Sequence, residues 1–425
     1  MRTGFFGNIG FGCGRDGAQR APRRPSARRA VFGLALLAVP LALGGCHSPN
    51  MRVRRAVTLY YMGDYPQAQQ TLAPEISRKN KNFVLNNCRY GSCAIAAGNL
   101  RDAQLAFYNA YEVMNSVHTN TVGRTLGAAV VYEGIKVWKG QPYERAMAHY
   151  YLGLIYLIKN HFNDARAAFA NSLFRLRAYG RSRRDARAGH RYGWIDSNFT
   201  LGYFGLGLCY QELGRHALAR ANFRRAEQLN PALAPAVQMM RRRGANTVIF
   251  VDYGMGPRPA PHGWYGEKSA FVPTVAEAGP VPPVAAYADG RLLPASGYDA
   301  AVDTLALAQD KRWDSMDTLR ETKAVIGTGL VAGGLGTAMI AGDRNDGEVG
   351  LIGLGAAALG MALTASSRVD VRYWEMLPRA VMVVPAALTP GPHTIQVAMA
   401  GSACQPFTVR VRRRGLTVLY VRLLP

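Results

Sequence analysis

Four similar stretches recur along the first half of the chain, each between segments of helical periodicity. They read GDYPQA at 63–68, GNLRDA at 98–103, NHFNDA at 160–165 and GRHALA at 214–219. In the flanking segments apolar residues return every three or four positions, which is the spacing of an amphipathic helix. The pattern therefore predicts four helical hairpins between residues 51 and 240.

The last of these units shows the physical logic most fully. Gly207 and Ala219 are small enough to let two antiparallel helices approach closely, and Phe223 fills the space between them. Gly214 permits the turn, and Pro231 ends the second helix. These units resemble the tetratricopeptide repeat, whose period is 34 residues. Longer distances between the later units place insertions at about 115–140 and about 178–196.

The second insertion is strongly basic. Between residues 178 and 195 it contains a single acidic residue, Asp185, and these arginines among others: Arg181, Arg183, Arg184, Arg187 and Arg191. Such a loop is a candidate site for an anionic component of the cell envelope, such as lipid phosphates. The alternative is a solvated loop with no ligand.

The second half of the chain changes to β-branched and aromatic runs separated by Gly and Pro. The pattern predicts strands at 246–253, 380–385, 393–399, 407–412 and 416–423. A helix is expected over Asp303–Lys323.

Two uncharged, glycine-rich arms follow that helix, at 324–341 and 349–365. Small residues four apart allow close helix packing, so we expect a helical hairpin over 324–365. Asp343 and Arg344 at its tip would be costly to carry across a bilayer, which favours docking on the protein over insertion into the membrane.

Together these patterns predict an α+β protein. We expect an N-terminal all-α superhelix of tetratricopeptide repeats (TPRs), then a small β-rich domain interrupted by the glycine-rich helical hairpin. The predicted boundaries are 1–45 for a signal peptide, 46–240 for the helical domain and 241–425 for the β-rich domain.

The first 46 residues have the order of a secretory signal. Seven arginines precede an apolar run at 30–45, and Cys46 follows it directly. Leu43-Gly44-Gly45-Cys46 resembles the lipobox of bacterial lipoproteins. The resemblance implies removal of residues 1–45 and acylation of Cys46, which anchors the protein in a membrane. His47, where inner-membrane lipoproteins usually carry Asp, implies the outer membrane and a periplasm-facing location.

The remaining cysteines and the overall charge agree with export. Cys88 and Cys93 could form a disulfide if a helix end lies between them, and an oxidising periplasm would permit the bond. The net charge of +24 suits an anionic partner. We expect no nucleic acid, because the predicted compartment holds none.

Nothing in the sequence points to catalysis. The chain contains no GxSxG, HExxH or phosphate-binding P-loop motif, and no metal-ligand spacing near its cysteines. We therefore expect no catalytic residue, no metal and no cofactor.

Three further stretches resemble a family of uncharacterised bacterial TPR lipoproteins of the outer membrane. They are PYER at 142–145, NTVIFVDYGMGPRP at 246–259 and DVRYWEMLP at 370–378. The resemblance implies a β-containing domain after the repeats and assigns no role to any residue.

The most economical hypothesis is an envelope adaptor. Lipid on Cys46 would hold the protein at the membrane, and the groove of the TPR array would bind a protein or peptide. The alternative is a structural subunit of an envelope assembly that self-associates through the glycine-rich hairpin.

Overall fold

The computed structural model of the protein describes most of the chain from residue 49 onward. The described residues are 49–115, 137–177, 197–242, 244–262, 268–274, 279–294, 300–310, 330–332, 335, 356–359, 370–399 and 401–424. They belong to one compact unit that begins at Pro49. Among them, no helix combines the length and the hydrophobicity that a membrane span requires.

Several predicted features lie outside the described residues. They are the signal peptide at 1–45, the lipidation site Cys46, the five arginines of the basic insertion and most of the hairpin at 324–365. Within that hairpin, residues 330–332, 335 and 356–359 are described, and these are helical. These predictions stay predictions.

The four predicted helical hairpins are present. They are formed by α1 (Pro49–Tyr61) and α2 (Tyr65–Ile76), α3 (Phe83–Ala96) and α4 (Leu100–Asn115), α5 (Pro142–Ile158) and α6 (Phe162–Arg177), and α7 (Thr200–Glu212) and α8 (His216–Leu229). A 3₁₀ turn at Pro231–Leu233 and α9 (Ala234–Arg241) follow. The predicted insertions fall between α4 and α5 and between α6 and α7.

Each hairpin turns through one residue in the left-handed region. Gly63, Gly98 and Gly214 have φ values of 82°, 77° and 73°, and Asn160 takes the same place with φ of 60°. Glycine has no Cβ to oppose this conformation, and asparagine tolerates it better than most residues. The four recurring stretches are therefore the turns of the hairpins, as their composition indicated.

Within the second, third and fourth hairpins a glycine on the first helix faces a phenylalanine on the second. A Cβ added at Gly91 would lie 2.8 Å from the Phe107 ring, and one at Gly207 would lie 2.5 Å from the Phe223 ring. Gly153 faces Phe169 in the same way. The absent side chain thus makes room for a buried ring, which confirms the predicted roles of Gly207 and Phe223.

The strands form two larger sheets and a separate ribbon. Sheet one has the order β11 (Thr417–Leu423), β1 (Thr247–Tyr253), β7 (Ala380–Ala386), β6 (Val302–Asp303). Sheet two has the order β10 (Phe407–Val411), β8 (Gly391–Met399), β4 (Ala285–Ala288), β5 (Arg291–Leu292), with β9 (Ser402–Ala403) beside β8. The ribbon joins β2 (Arg258–His262) to β3 (Lys268–Val272). Helix α10 covers Thr304–Ala308, and residues 311–323 of the longer helix predicted there lie outside the described residues.

Sheet one is the middle layer of three. Val248 and Phe250 of β1 belong to the hydrophobic cluster of the helical array, whereas Ile249 and Val251 belong to the cluster of sheet two. Successive side chains of a strand point to opposite faces, so each face of β1 has its own apolar partner. This explains why every residue of β1 and β7 is buried, as in a strand covered on both sides.

The helices and the strands therefore share a core, although they are separate in sequence. This α+β arrangement confirms the predicted fold class. The chain passes from helix to strand between α9 and β1, close to the boundary predicted at 240. Sheet one packs directly on the array. The division into domains at 46–240 and 241–425 stays a prediction.

Gly207→Ala tests the packing inside the hairpins. Because the new methyl group would meet the Phe223 ring, we expect the free energy of unfolding to fall by about 1–3 kcal/mol. Gly207→Ala combined with Phe223→Leu should recover part of the loss. Gly244→Ala, where nothing lies within 4 Å of the added Cβ, is the control and should change little. Chemical denaturation measures all four chains, and equal effects at Gly207 and Gly244 would contradict this account of the packing.

Candidate binding groove of the helical array

The first helices of the four hairpins line one continuous inner face. Side chains on this face come from α1, α3, α5 and α7, and they include aromatic and charged residues such as Tyr60, Arg89, Glu144 and Tyr151. A surface of this kind would suit the peptide groove that the repeats predict. The structure shows that this groove is not open.

Trp374, in the segment 370–379 that leads into β7, is seated in the middle of the groove. Its side chain is 1% exposed, and its ring centroid lies 5.7 Å from those of both Phe107 and Tyr151. Its indole N–H donates to Oγ of Ser92 at 3.0 Å. A buried tryptophan N–H needs such a partner, so the groove satisfies both the apolar and the polar part of this side chain.

The next residue, Glu375, is held by a bidentate ion pair. Nε and Nη2 of Arg89 donate to its two carboxylate oxygens at 2.7 and 2.5 Å. Asn86, one turn earlier on α3, accepts from Nη1 of Arg89 at 3.0 Å and fixes the guanidinium plane. The fork of a guanidinium matches a carboxylate in this geometry, which favours one orientation of the segment.

The backbone of the same segment is bound as well. Tyr61 donates its hydroxyl to the carbonyl of Glu375, and Tyr60 donates to the carbonyl of Met376 at 3.4 Å. Trp138, from the loop before α5, donates its indole N–H to the carbonyl of Arg372 at 3.0 Å. The array thus binds residues 372–376 through their backbone as well as their side chains, and the segment turns at Glu375 and Met376, where the Leu377 N–H donates to the Trp374 carbonyl at 3.3 Å.

Glu144 links this segment to the start of α5. One carboxylate oxygen accepts from the backbone N–H of Gln141 at 2.7 Å, completing a capping box, and the other accepts from the backbone N–H of Trp374 at 2.7 Å. The side chain is fully buried, and burial raises the pKa of Glu144 to about 8, although the two N–H donors lower it.

Beyond this segment, β1 and β11 cover the inner face. Asp252 accepts from the hydroxyls of Tyr151 at 2.5 Å and Tyr420 at 2.9 Å. Arg422, its register partner on β11, lies over the Tyr60 ring at 5.5 Å. Burial raises the pKa of Asp252 to about 6, and Arg422 and the two tyrosines oppose the shift. Asp252 could not be given a partner from sequence, because its partners come from α5 and β11.

The predicted Cys88–Cys93 disulfide is wrong. Both cysteines are free and buried, and α3 runs unbroken through them from Phe83 to Ala96. Residues five apart on a continuous helix point about 140° away from each other, which prevents a bond. Sγ of Cys93 lies 3.6 Å from Sδ of Met376, so this residue packs against the bound segment.

An Asp–His–Thr arrangement on sheet two does not form a proton relay. Nδ1 of His393 lies 2.6 Å from Oδ2 of Asp289, and Nε2 lies 2.7 Å from the carbonyl oxygen of Thr389. The hydrogen bond to Asp289 and the one to Thr389 raise the pKa of His393. When both ring nitrogens carry a proton and donate to these oxygens, the ring joins two turns and has no lone pair for a hydroxyl proton.

Metal chemistry finds no support in the described ranges. They contain no group of three or more His, Cys, Asp or Glu side chains placed to hold a metal ion. Cys209 is buried on α7, and burial raises the pKa of its thiol to about 12, so it lies there as an unreactive core residue.

Comparison with known proteins identifies the repeats. The tetratricopeptide repeat family model matches residues 200–233, which comprise α7, α8 and the turn after them. Two solved structures, titled "Crystal structure of MamA" and "Crystal structure of MamA protein", are similar at 15% and 16% identity over 44% and 48% of this chain. Each likeness covers 82% of the MamA chain with a TM-score of 0.29. No curated protein matches the chain.

Glu144→Gln tests the buried carboxyl in the groove. The folded-state pKa of about 8 lies above the ordinary value of 4.5, so the folded protein holds a proton that the unfolded chain has lost between these values. Stability should therefore be full below about pH 4.5 and fall as the pH rises to about 8, with a slope of up to about 1.4 kcal/mol per pH unit.

The glutamine variant should lose this slope between pH 6 and 8. Asp252, whose pKa is about 6, changes the free energy of unfolding mainly below pH 6, so it contributes little to the slope between pH 6 and 8. Urea unfolding at pH 6, 7 and 8 measures the difference. A slope between pH 6 and 8 that survives in Glu144→Gln would show that another group carries it.

Proposed function

We propose that this protein is a lipid-anchored adaptor of the cell envelope. The observation that carries the proposal is the array of four TPR-type hairpins, because such repeats serve as scaffolds for protein partners. The signal-like N terminus and the stretch LGGC at 43–46 support acylation of Cys46 and a place in the outer membrane facing the periplasm. The role is binding, with no catalytic step.

The partner surface in this proposal is the outer side of the array, since residues 370–379 and sheet one occupy the inner side. Large apolar side chains are exposed on the second helices of the hairpins. Leu105 is 58% exposed, Tyr108 44%, Phe174 45% and Leu218 44%. Exposed apolar residues on a scaffold mark contact sites when they lie together or beside cavities.

Two of these side chains line cavities of suitable size. Tyr108 lies at one of about 460 Å³, together with Phe83, Val113 and Val137. Phe174 lies at another of about 440 Å³, together with Tyr203 and Leu206. Apolar cavities beside exposed aromatic rings can receive the anchor residues of a partner, which usually supply most of the binding energy.

Mass spectrometry of the protein purified from its native membrane tests the anchor. We expect a chain that begins at Cys46, with a diacylglyceryl group on its sulfur and an acyl group on its amine. Cys46→Ala should leave the membrane fraction, because the variant lacks the sulfur that would carry the lipid. A purified chain that retained residues 1–45 and carried no lipid would contradict the proposal.

Photo-crosslinking in intact cells tests the adaptor role. A benzophenone amino acid at Leu105 or Phe174 should give adducts with other proteins, because these sites lie on the proposed outer surface. Leu292 on β5 is 59% exposed and serves as the matched control, where no such adducts are expected. Adducts only between copies of this chain would support the self-assembling subunit instead. Equal yields of adducts at Leu105, Phe174 and Leu292 would contradict the outer side of the array as the partner surface.

A further inference from the structure

Arginine side chains from three separate segments meet at one end of the array, beside the last turn of α7. They come from the α7–α8 hairpin, the end of α9 and the turn between β10 and β11. We call them the arginine surface: Arg215, Arg220, Arg241, Arg412, Arg413 and Arg414. Each of the six is exposed.

Backbone contacts hold the three segments together. Oε2 of Glu212, the last residue of α7, accepts from the N–H of Leu416 at 3.1 Å, which fixes the β10–β11 turn against α7. The N–H of Thr417 donates to the carbonyl of Asn246 at 2.8 Å, which brings the chain after α9 beside the same turn. Arg220 and Arg241 line one small cleft with His216. The surface is therefore built on fixed backbone.

The charge of this surface is not neutralised within the described part of the chain. None of the six arginines has an ion-pair partner there. Glu212 accepts from the Leu416 N–H and interacts with Arg412, which lowers its pKa, although burial raises that pKa further and the net shift is upward. One carboxyl group beside six guanidinium groups leaves an excess of positive charge, which attracts anions.

We propose that the arginine surface binds the phosphate groups of anionic phospholipids at a membrane surface. Guanidinium groups bind phosphate through paired N–H donors and remain charged at any physiological pH. In a protein that also carries a membrane anchor, a basic surface adds electrostatic attraction to the hydrophobic anchoring. The proposal rests on the proposed function for the membrane location, and it concerns a second contact distinct from the acyl chains.

A lipid surface fits these observations better than an acidic protein does. Protein interfaces usually have an apolar centre that excludes water. Among the described residues near the arginine surface, one large apolar side chain is exposed, that of Leu218. A plane of lipid headgroups needs only positive charge spread over an accessible face, which is what the three segments provide.

Vesicle flotation of the full-length protein tests this proposal. We would measure the partition ratio between phosphatidylglycerol-containing vesicles and pure phosphatidylcholine vesicles. The triple variant Arg412→Ala/Arg413→Ala/Arg414→Ala should lower this ratio by about 100-fold, since each arginine near an anionic membrane contributes about a factor of five. Raising the salt to about 0.5 M should remove the preference of the wild type, because screening shortens to a few ångströms.

The matched control removes three exposed arginines on other elements, namely Arg101 on α4, Arg258 on β2 and Arg291 on β5. It has the same net charge as the test variant, and its ratio should stay within threefold of wild type. An equal drop in both variants, or no preference for anionic vesicles, would overturn the proposal. A different outcome is that the wild type binds soluble polyglutamate and no vesicles, and that the triple variant loses that binding. This result would assign the surface to an acidic protein.

The experiment separates the two proposals. Binding to neutral vesicles reports the acyl anchor, whereas the ratio between vesicle types reports the arginine surface. A chain that fails to float with neutral vesicles would contradict acylation at Cys46, and its preference for anionic vesicles would still decide the role of the arginines.

Discussion

The docking of Trp374 and Glu375 into the helical array is the interaction on which the rest of the structure depends. Trp374 fills the centre of the groove between two aromatic rings, and Arg89 binds Glu375 through both carboxylate oxygens. Truncating a fully buried tryptophan costs about 3–5 kcal/mol. That cost alone is a large fraction of the stability of a typical domain, about 5–15 kcal/mol, and the partly buried ion pair adds to it.

This docking decides where the protein can bind others. A TPR array with an open inner face would offer that face to a peptide, but here the chain supplies its own segment, and sheet one covers the remainder. The surfaces that we propose for binding are the outer helices, with their exposed apolar side chains, and the arginine-rich end of the array. The two surfaces suit different partners, since one is apolar and the other is charged.

The parts of the fold that follow local patterns could be predicted from the sequence. The turns at Gly63, Gly98, Asn160 and Gly214 and the small residue opposite Phe223 are visible in the order of residue types, because each depends on neighbours within one hairpin. The docking of residues 370–379 could not be predicted. Arg89 and Glu375 are 286 residues apart, and no periodicity reports such a pair. The pairing of Cys88 with Cys93 required a helix end between them, and the sequence did not show that one helix continues from Phe83 to Ala96.

Hydrogen–deuterium exchange of Trp374→Ala, read by mass spectrometry, tests the central claim most directly. Val371→Ala, in the same segment but with a side chain 48% exposed, is the control. If the docked segment unites the helices and the sheet, Trp374→Ala will lose protection in α3 and α5 and equally in β1 and β11, and the control will not. Loss of protection confined to residues 370–379, with both the array and sheet one unchanged, would contradict the account.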